Sequence, residues 1–219
     1  MQVNIRDITK DTAKGPTVKQ HSEFYFADGN AIFLVEDVLF NVHRYFLHRD
    51  SPVFRDLFLL PQRGGGEGQV DNNPIRLDGT RSIDMERFLS ILYPPRIGHY
   101  DLKTTDEWAS VLELAHKWQF DSICELVADR LPQVASLVDQ IILGRRYGLE
   151  EMLLSARVRL CEREAPISLE EGRRLGLDEC IVVGEVRQKA RSNLFATTAM
   201  KFDEWDVRML QEAFQVLDT

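Results

Sequence analysis

Apolar residues near the start of the chain follow a short period, and a helical period replaces it further on. The runs 24–26, 31–35 and 38–42 are rich in β-branched and aromatic residues, and only Glu36 and Asp37 separate the last two runs. A gap of two residues between such runs is typical of a β-hairpin. The pattern therefore predicts a small antiparallel sheet, with one further short strand within 74–77.

Helical spacing begins near His43. Ser51 and Pro52 form an N-cap followed by proline at the first helical position. Apolar residues at i, i+3, i+4 and i+7 predict helices that begin near Ser82 and Thr104. A helix after residue 121 is expected to end at Pro132, and the rest of the chain has helical patterns, the last over 207–217. Core packing is the preferred interpretation of Trp108 and Trp118, and an exposed aromatic patch is the alternative.

These patterns divide the chain into three parts. Residues 1–20 are polar, contain Gly15 and Pro16, and are expected to form a flexible arm in which Val3 and Ile5 could add a short strand. Residues 21–131 are predicted to form an α+β domain, a small β-sheet flanked by helices. Residues 132–219 are predicted to form an all-helical C-terminal region. No internal repeat supports a solenoid.

Charge and cysteine content narrow the function. The 219 residues include 27 Lys and Arg against 35 Asp and Glu, a net charge of −8, and residues 21–131 hold 11 basic and 18 acidic residues. Nucleic acid is therefore an unfavourable ligand, and an apolar interface or a basic partner is expected. Three widely spaced cysteines and the lack of a long apolar run predict an intracellular protein, cytoplasmic or nuclear, without a membrane span.

No pattern of catalytic or ligand-binding residues stands out. The glycine-rich loop 63–73 lacks the Lys-Ser/Thr pair of a phosphate-binding loop. His43 and His48 are five residues apart, and this spacing turns them away from a common helical face. Neither a Gly-x-Ser-x-Gly motif nor an activated cysteine is evident. We therefore expect no catalytic residues, no metal, no cofactor and no small-molecule substrate. An enzyme with a site that the sequence does not reveal is the alternative from another functional class.

Three stretches resemble the BTB/POZ domain, a small α+β interaction module, of the kind abundant in mushroom-forming fungi. They are NAIFLVEDVLFNVHRYFLHRDSPVFRDLF, RFLSILYP and VLELAHKWQFDSICELVADRL. The resemblance places the family's histidine on His43, its basic residue on Arg44, and its Ser-x-x-Phe on Ser51 and Phe54. Asn30 takes the place of the acidic residue that pairs with the basic one in many dimeric members. The amphipathic helix that precedes the first strand in many members is not evident in residues 1–20.

The resemblance implies two sets of contact residues. Many members are adaptors for a cullin ubiquitin ligase and bind it through an apolar-x-Glu motif. In this chain the motif falls on Leu60, Pro61 and Gln62. Gln62 takes the place of the glutamate, so the motif's carboxylate is missing. The apolar run 54–60 exceeds what one face of a short helix can bury, although burial of that helix on two sides is an equal alternative. The expected partner-binding residues are Phe54, Leu57, Phe58, Leu59, Leu60, Pro61 and Gln62. The expected interface of a homodimer consists of Val3, Ile5, Phe24, Phe26, Asn30 and Arg44.

The expected function is that of a non-enzymatic adaptor, with a cullin or a second copy of the chain as partner. A homo-oligomerising scaffold associated with transcription is the alternative. Because residues 133–219 contain no recognisable kelch, zinc-finger or ankyrin module, substrate recognition would fall to these helices or to the glycine-rich loop.

Overall fold

The computed structural model describes residues 18–60 and 68–193, together with Phe214. Within these ranges the elements are β1 (Lys19–Tyr25), β2 (Ala31–Val35), β3 (Val38–Val42), α1 (Arg44–Asp50), α2 (Pro52–Leu59), β4 (Ile75–Arg76), α3 (Ser82–Leu92), α4 (Thr105–Lys117), α5 (Asp121–Val134), α6 (Leu137–Tyr147), α7 (Glu150–Glu162), α8 (Leu169–Leu175) and α9 (Leu177–Asn193). The α+β class and the helical C-terminal region are confirmed. The helix predicted over 207–217 lies outside the described residues, apart from Phe214.

The sheet is mixed, with the strand order β1-β3-β2-β4. The hairpin of β2 and β3 is antiparallel as predicted, but β1 pairs with β3 and β4 pairs with β2 in parallel, so the prediction of an antiparallel sheet is wrong for these two strands. The turn after β1 carries the chain past β3, so that β1 and β2 lie on opposite sides of β3. Asn41 holds this crossing because its side-chain amide donates to the Phe26 carbonyl at 2.6 Å, while the Phe26 amide donates to the Asn41 carbonyl at 2.8 Å.

One face of the sheet forms the main core with α1 to α5. Phe33, Phe40, Met85 and Phe88 are fully buried there. Trp108 and Trp118 belong to the same core, which confirms the preferred interpretation of the two tryptophans. A smaller cluster of Ile32, Leu34 and Leu39 lies on the other face of the sheet.

Most helix starts agree with the sequence. Helix α4 begins after Thr104 as predicted, and Thr104 and Glu107 form a capping box there. Ser168 and Glu171 form another at the start of α8, and Ser136 caps α6. Helix α3 begins at Ser82 as predicted, with Arg81 in the N-cap position. The Ser82 amide and hydroxyl both donate to the Glu36 carboxylate, at 2.9 and 2.7 Å.

The C-terminal helices have a core of their own, built from α6 to α9 and Phe214, and Met152 of α7 reaches the main core. Helix α5 continues through Pro132 to Val134, so the predicted end at Pro132 is wrong. A proline in the last turn of a helix removes a hydrogen bond without preventing the turn from closing, and the Ala135 amide donates to the Leu131 carbonyl at 2.7 Å. The division expected between residues 131 and 132 thus falls inside a helix, and β1 begins within the expected arm. The three-part division stays a prediction.

Candidate protein-interaction surface

Helix α2 is positioned by a buried serine. The Phe54 amide donates to Ser51 Oγ at 3.0 Å, which caps the helix as its sequence predicts, and Pro52 begins the first turn. The Ser51 hydroxyl in turn donates to the Trp118 carbonyl at 2.6 Å. One side chain therefore starts α2 and fastens it to the end of α4.

Phe54 directs the inner face of α2 into the core. It is only 1% exposed, and its ring lies 5.7 Å from Phe33, 5.2 Å from Trp118 and 6.1 Å from Phe120, measured between ring centroids. A residue three positions after the N-cap faces the same side as the cap, which here is the sheet. Phe54 therefore lies inside the domain, although we expected it on a partner-binding surface.

The rest of the apolar run moves outward along the helix. Leu57 and Phe58 are half-buried against the main core, whereas Leu59 is 75% exposed and Leu60 is 62% exposed. We refer to Leu59 and Leu60 as the α2 end. The first residues of the run are thus buried and its last two are exposed, and partner binding by the run stays a prediction. Pro61 and Gln62 lie outside the described residues.

Arg44 fixes the α2 end from the neighbouring helix. Its guanidinium donates to the Phe58 carbonyl at 2.9 Å and lies 4.3 Å from the centroid of the Phe58 ring. Helix α2 has no basic residue in its own last turn, so Arg44 supplies the positive charge that a helix C-terminus favours. These two contacts hold the last turn of α2 in place beside the exposed Leu59 and Leu60.

Asn30 and Arg44, the pair expected in a dimer interface, do meet in the structure. The contact is between the Asn30 side-chain oxygen and the Arg44 amide, at 2.7 Å, so Asn30 caps α1 in place of the N-cap residue His43, whose side chain makes no cap hydrogen bond. The Arg44 guanidinium points away toward α2. Instead of a charged pair, these residues form a brace between two helices.

The aromatic residues expected in the dimer interface are largely covered. Phe24 is buried in the main core, and Phe26 is partly buried, with its ring centroid 5.2 Å from that of His43 and 4.9 Å from that of Tyr93. Val3 and Ile5 lie outside the described residues. Among the described residues that we expected in the dimer interface, Phe26, Asn30 and Arg44 are therefore the ones that are partly or fully exposed.

The sequence did not predict the polar chain around His43. The His43 amide donates to the Tyr93 hydroxyl at 2.9 Å, and His43 Nε2 lies 3.3 Å from the Asp28 carboxylate. Hydrogen bonding to His43 lowers the pKa of Asp28, and burial raises the pKa of Tyr93. The sequence marked His43 as a family position, but its partners lie 15 residues before it and 50 residues after it, beyond the reach of any local pattern.

Tyr45 is a second exposed group that sequence reasoning missed. It lies on the outer side of α1, and the Arg49 guanidinium is 5.6 Å from its ring centroid. An aromatic residue on the polar side of the α1 helical pattern was the signal that could have revealed it.

Burial raises the pKa of the cysteine thiols. All three cysteines are free, and burial raises the pKa of Cys124 to about 11 and of Cys161 to about 12, so both thiols stay protonated near neutral pH. In residues 18–60 and 68–193 no group of three or more His, Cys, Asp or Glu side chains is arranged to hold a metal ion. Within the same ranges no helix is both long and apolar enough to cross a membrane.

Comparison with known proteins agrees with this architecture. A family model described as BTB/POZ domain matches residues 26–134, which run from the residue after β1 to the last residue of α5. No curated protein matches the chain. The resemblance found in the sequence is thereby confirmed for the domain, and its fungal type stays a prediction.

Proposed function

The chain belongs to the BTB/POZ family of protein-interaction domains, and from this premise we propose that it is an adaptor whose α2 end binds a protein partner. The observation that supports this proposal most is the exposure of Leu59 and Leu60 at the end of a helix that is otherwise packed. Burying a leucine side chain fully contributes about 1.5–3 kcal/mol. Two adjacent leucines on a braced helix can therefore anchor an interface.

A cullin subunit of a ubiquitin ligase is our first candidate for this partner. The proposal rests on the position of the α2 end, whose Leu60 is the first position of the family's apolar-x-Glu motif, together with the apolar character of Leu59 and Leu60. Gln62 supplies no carboxylate, so the leucines would have to provide most of the binding energy. Substitution at the leucines is accordingly the sharpest test.

Binding of the full chain to a purified cullin N-terminal domain tests the proposal by isothermal titration calorimetry. We expect Leu59→Asp and Leu60→Asp each to weaken binding by about 30-fold or more, because a charge enters an apolar contact. Ile97→Asp is the matched control, since Ile97 is 97% exposed on a different turn, and it should bind like the unaltered chain. No binding by the unaltered chain, or equal loss in the control, would refute the cullin proposal.

A homo-oligomerising scaffold associated with transcription is our second candidate. It is supported by β1, an edge strand of the sheet whose outer side has no strand partner among the described residues, and by the nearby Phe26, Asn30 and Arg44. An unpaired edge can accept a strand from another chain. Removal of residues 1–17 should lower the mass measured by light scattering from dimer to monomer if the arm supplies that strand. An unchanged mass would remove this role.

We also propose that the protein acts inside the cell, in the cytoplasm or the nucleus, and that binding is its whole activity. The three free cysteines are in keeping with a reducing compartment. Fluorescence microscopy of the tagged protein tests its location. A turnover reaction that persists through purification, and that a point substitution abolishes, would contradict the proposed lack of enzymatic activity.

A further inference from the structure

Arg130 of α5 is partly buried, yet its guanidinium makes no hydrogen bond or ion pair with any residue in 18–60 or 68–193. In the same part of the chain, each of the other buried or partly buried arginines donates a hydrogen bond to a carbonyl or a carboxylate. They are Arg44, Arg87, Arg157, Arg163 and Arg187. Because burying donors without hydrogen bonds costs free energy, Arg130 is the arginine best placed to gain from an external acceptor.

Arg130 lines a cavity of about 230 Å³ between the last turns of α5 and the loop that precedes α4. The loop contributes Gly98 and His99 to the lining, and α5 also contributes Gln133 and Val134. Pockets that hold drug-sized molecules have roughly 300–1,000 Å³. The cavity is smaller than these, so it suits one side chain of a partner rather than a cofactor.

Aromatic packing holds the Arg130 guanidinium in the cavity wall. Its central carbon lies over the Tyr100 ring, 5.9 Å from the ring centroid, and Tyr100 packs edge to face on the buried Trp108, also at 5.9 Å. A guanidinium that stacks on an aromatic face keeps the N–H groups at its edge available. Those groups match the two oxygens of a planar carboxylate.

A tight turn holds the loop side of the cavity in shape. The His99 amide donates to the Arg96 carbonyl at 3.0 Å, and Gly98 has a φ of 78°, which glycine adopts without strain. A Cβ atom at Gly98 would meet nothing within 4 Å, so the glycine serves the turn and not a close contact. The cavity is thus formed before a partner arrives, which lowers the cost of binding.

The charge at the cavity differs in sign from that of the acidic domain. Arg130 lines the cavity, and Arg96 is exposed on the turn beside it. The exposed Asp101 and Asp129 are close in sequence to lining residues, but neither forms an ion pair with Arg130. The positive charge of Arg130 is therefore available to a partner, and charge complementarity favours an acidic one.

We propose that this cavity, the Arg130 site, binds the carboxylate side chain of a glutamate or aspartate on the surface of a protein partner. Both carboxylate oxygens accept hydrogen bonds from the edge of the Arg130 guanidinium. Val134, which is 40% exposed in the same lining, contacts the methylene groups of the incoming side chain. The Arg130 site uses other elements than the α2 end, so it gives the chain a contact that does not depend on cullin binding.

Titration of the isotope-labelled full chain with N-acetyl-glutamic acid α-N-methylamide tests the Arg130 site by NMR. This compound carries one side-chain carboxylate, and its glutamine counterpart is the neutral control of the same shape. We expect the acidic compound to shift the backbone amide signals of Gly98 and Gln133 until they saturate, and the glutamine compound to leave them in place. Arg130→Gln should weaken binding by about 10-fold or more, because the charged hydrogen bonds are lost.

Arg173→Gln is the matched control, since Arg173 is an exposed arginine of α8 and its loss changes the net charge equally. It should leave the affinity unchanged, whereas Arg130→Lys, which keeps the charge without the paired N–H groups, should weaken binding. No shift at Gly98 and Gln133, equal shifts with both compounds, or an affinity that survives Arg130→Gln would overturn the proposal. Tighter binding of inorganic phosphate than of the glutamate compound would assign the site to a small anion and refute a protein carboxylate.

Discussion

Replacing Ser51 with alanine should destabilise the domain far more than an ordinary loss of a helix cap. The hydroxyl group has two functions, since it accepts the Phe54 amide and donates to the Trp118 carbonyl, and Ser51 has no exposed surface. Loss of a serine cap costs about 1 kcal/mol. A buried carbonyl that loses its donor costs about a further 1–3 kcal/mol. We therefore expect Ser51→Ala to lower the free energy of unfolding by about 2–4 kcal/mol.

Ser136→Ala is the matched control. Ser136 caps α6 in the same way, with the Asp139 amide donating to its hydroxyl at 3.1 Å, but it is exposed to solvent. Water can replace its hydrogen bonds, so the loss should stay near 1 kcal/mol. The difference between the two variants isolates the effect of burial.

Urea denaturation followed by tryptophan fluorescence measures both variants, and Trp118 lies at the hydrogen bond in question. The midpoint should fall more for Ser51→Ala than for Ser136→Ala, with the slope of the transition unchanged. If Ser51→Ala costs no more than Ser136→Ala, then the bond to the Trp118 carbonyl contributes nothing, and the account of how α2 is positioned is wrong.

Three further predictions concern the C-terminal helices. The Arg163 guanidinium lowers the pKa of Glu171 from its usual value of 4.5 to about 2, so this ion pair stabilises the folded state fully above pH 4.5 and loses its effect as pH falls toward 2. Glu171→Gln should therefore flatten the curve of unfolding free energy against pH between these two values. An unchanged curve would contradict this role of the ion pair. Glu179→Ala removes a fully buried carboxylate that binds two arginines, and urea denaturation should show a loss of about 3–5 kcal/mol rather than the small change of a surface residue. Gly144→Ala places a Cβ atom 2.8 Å from that of Leu153, and a fall in melting temperature matching about 1–3 kcal/mol is expected, whereas an unchanged temperature would mean that α6 and α7 can separate freely.

Much of the candidate surface was already implicit in short stretches of sequence. The cap at Ser51, the start of α2 and the excess of apolar residues up to Leu60 all follow from spacing within one or two helical turns. The same holds for the hairpin of β2 and β3, whose two-residue turn leaves only one neighbour within reach. These features depend on backbone geometry and on residues that are close in sequence, and the pattern of apolar and polar residues reports on such short separations.

The tertiary structure determined the features that depend on residues far apart in the sequence. It placed β1 in parallel beside β3, turned the Arg44 guanidinium onto Phe58 instead of toward residue 30, and buried Phe54 while leaving Leu59 and Leu60 exposed. Each outcome depends on which distant groups share one space and on which of several hydrogen-bond acceptors lies nearest. The chain alone therefore determined the elements and the family they resemble. The faces of those elements that remain open to partners were decided only by packing, because burial is a property of the whole fold and not of any one segment.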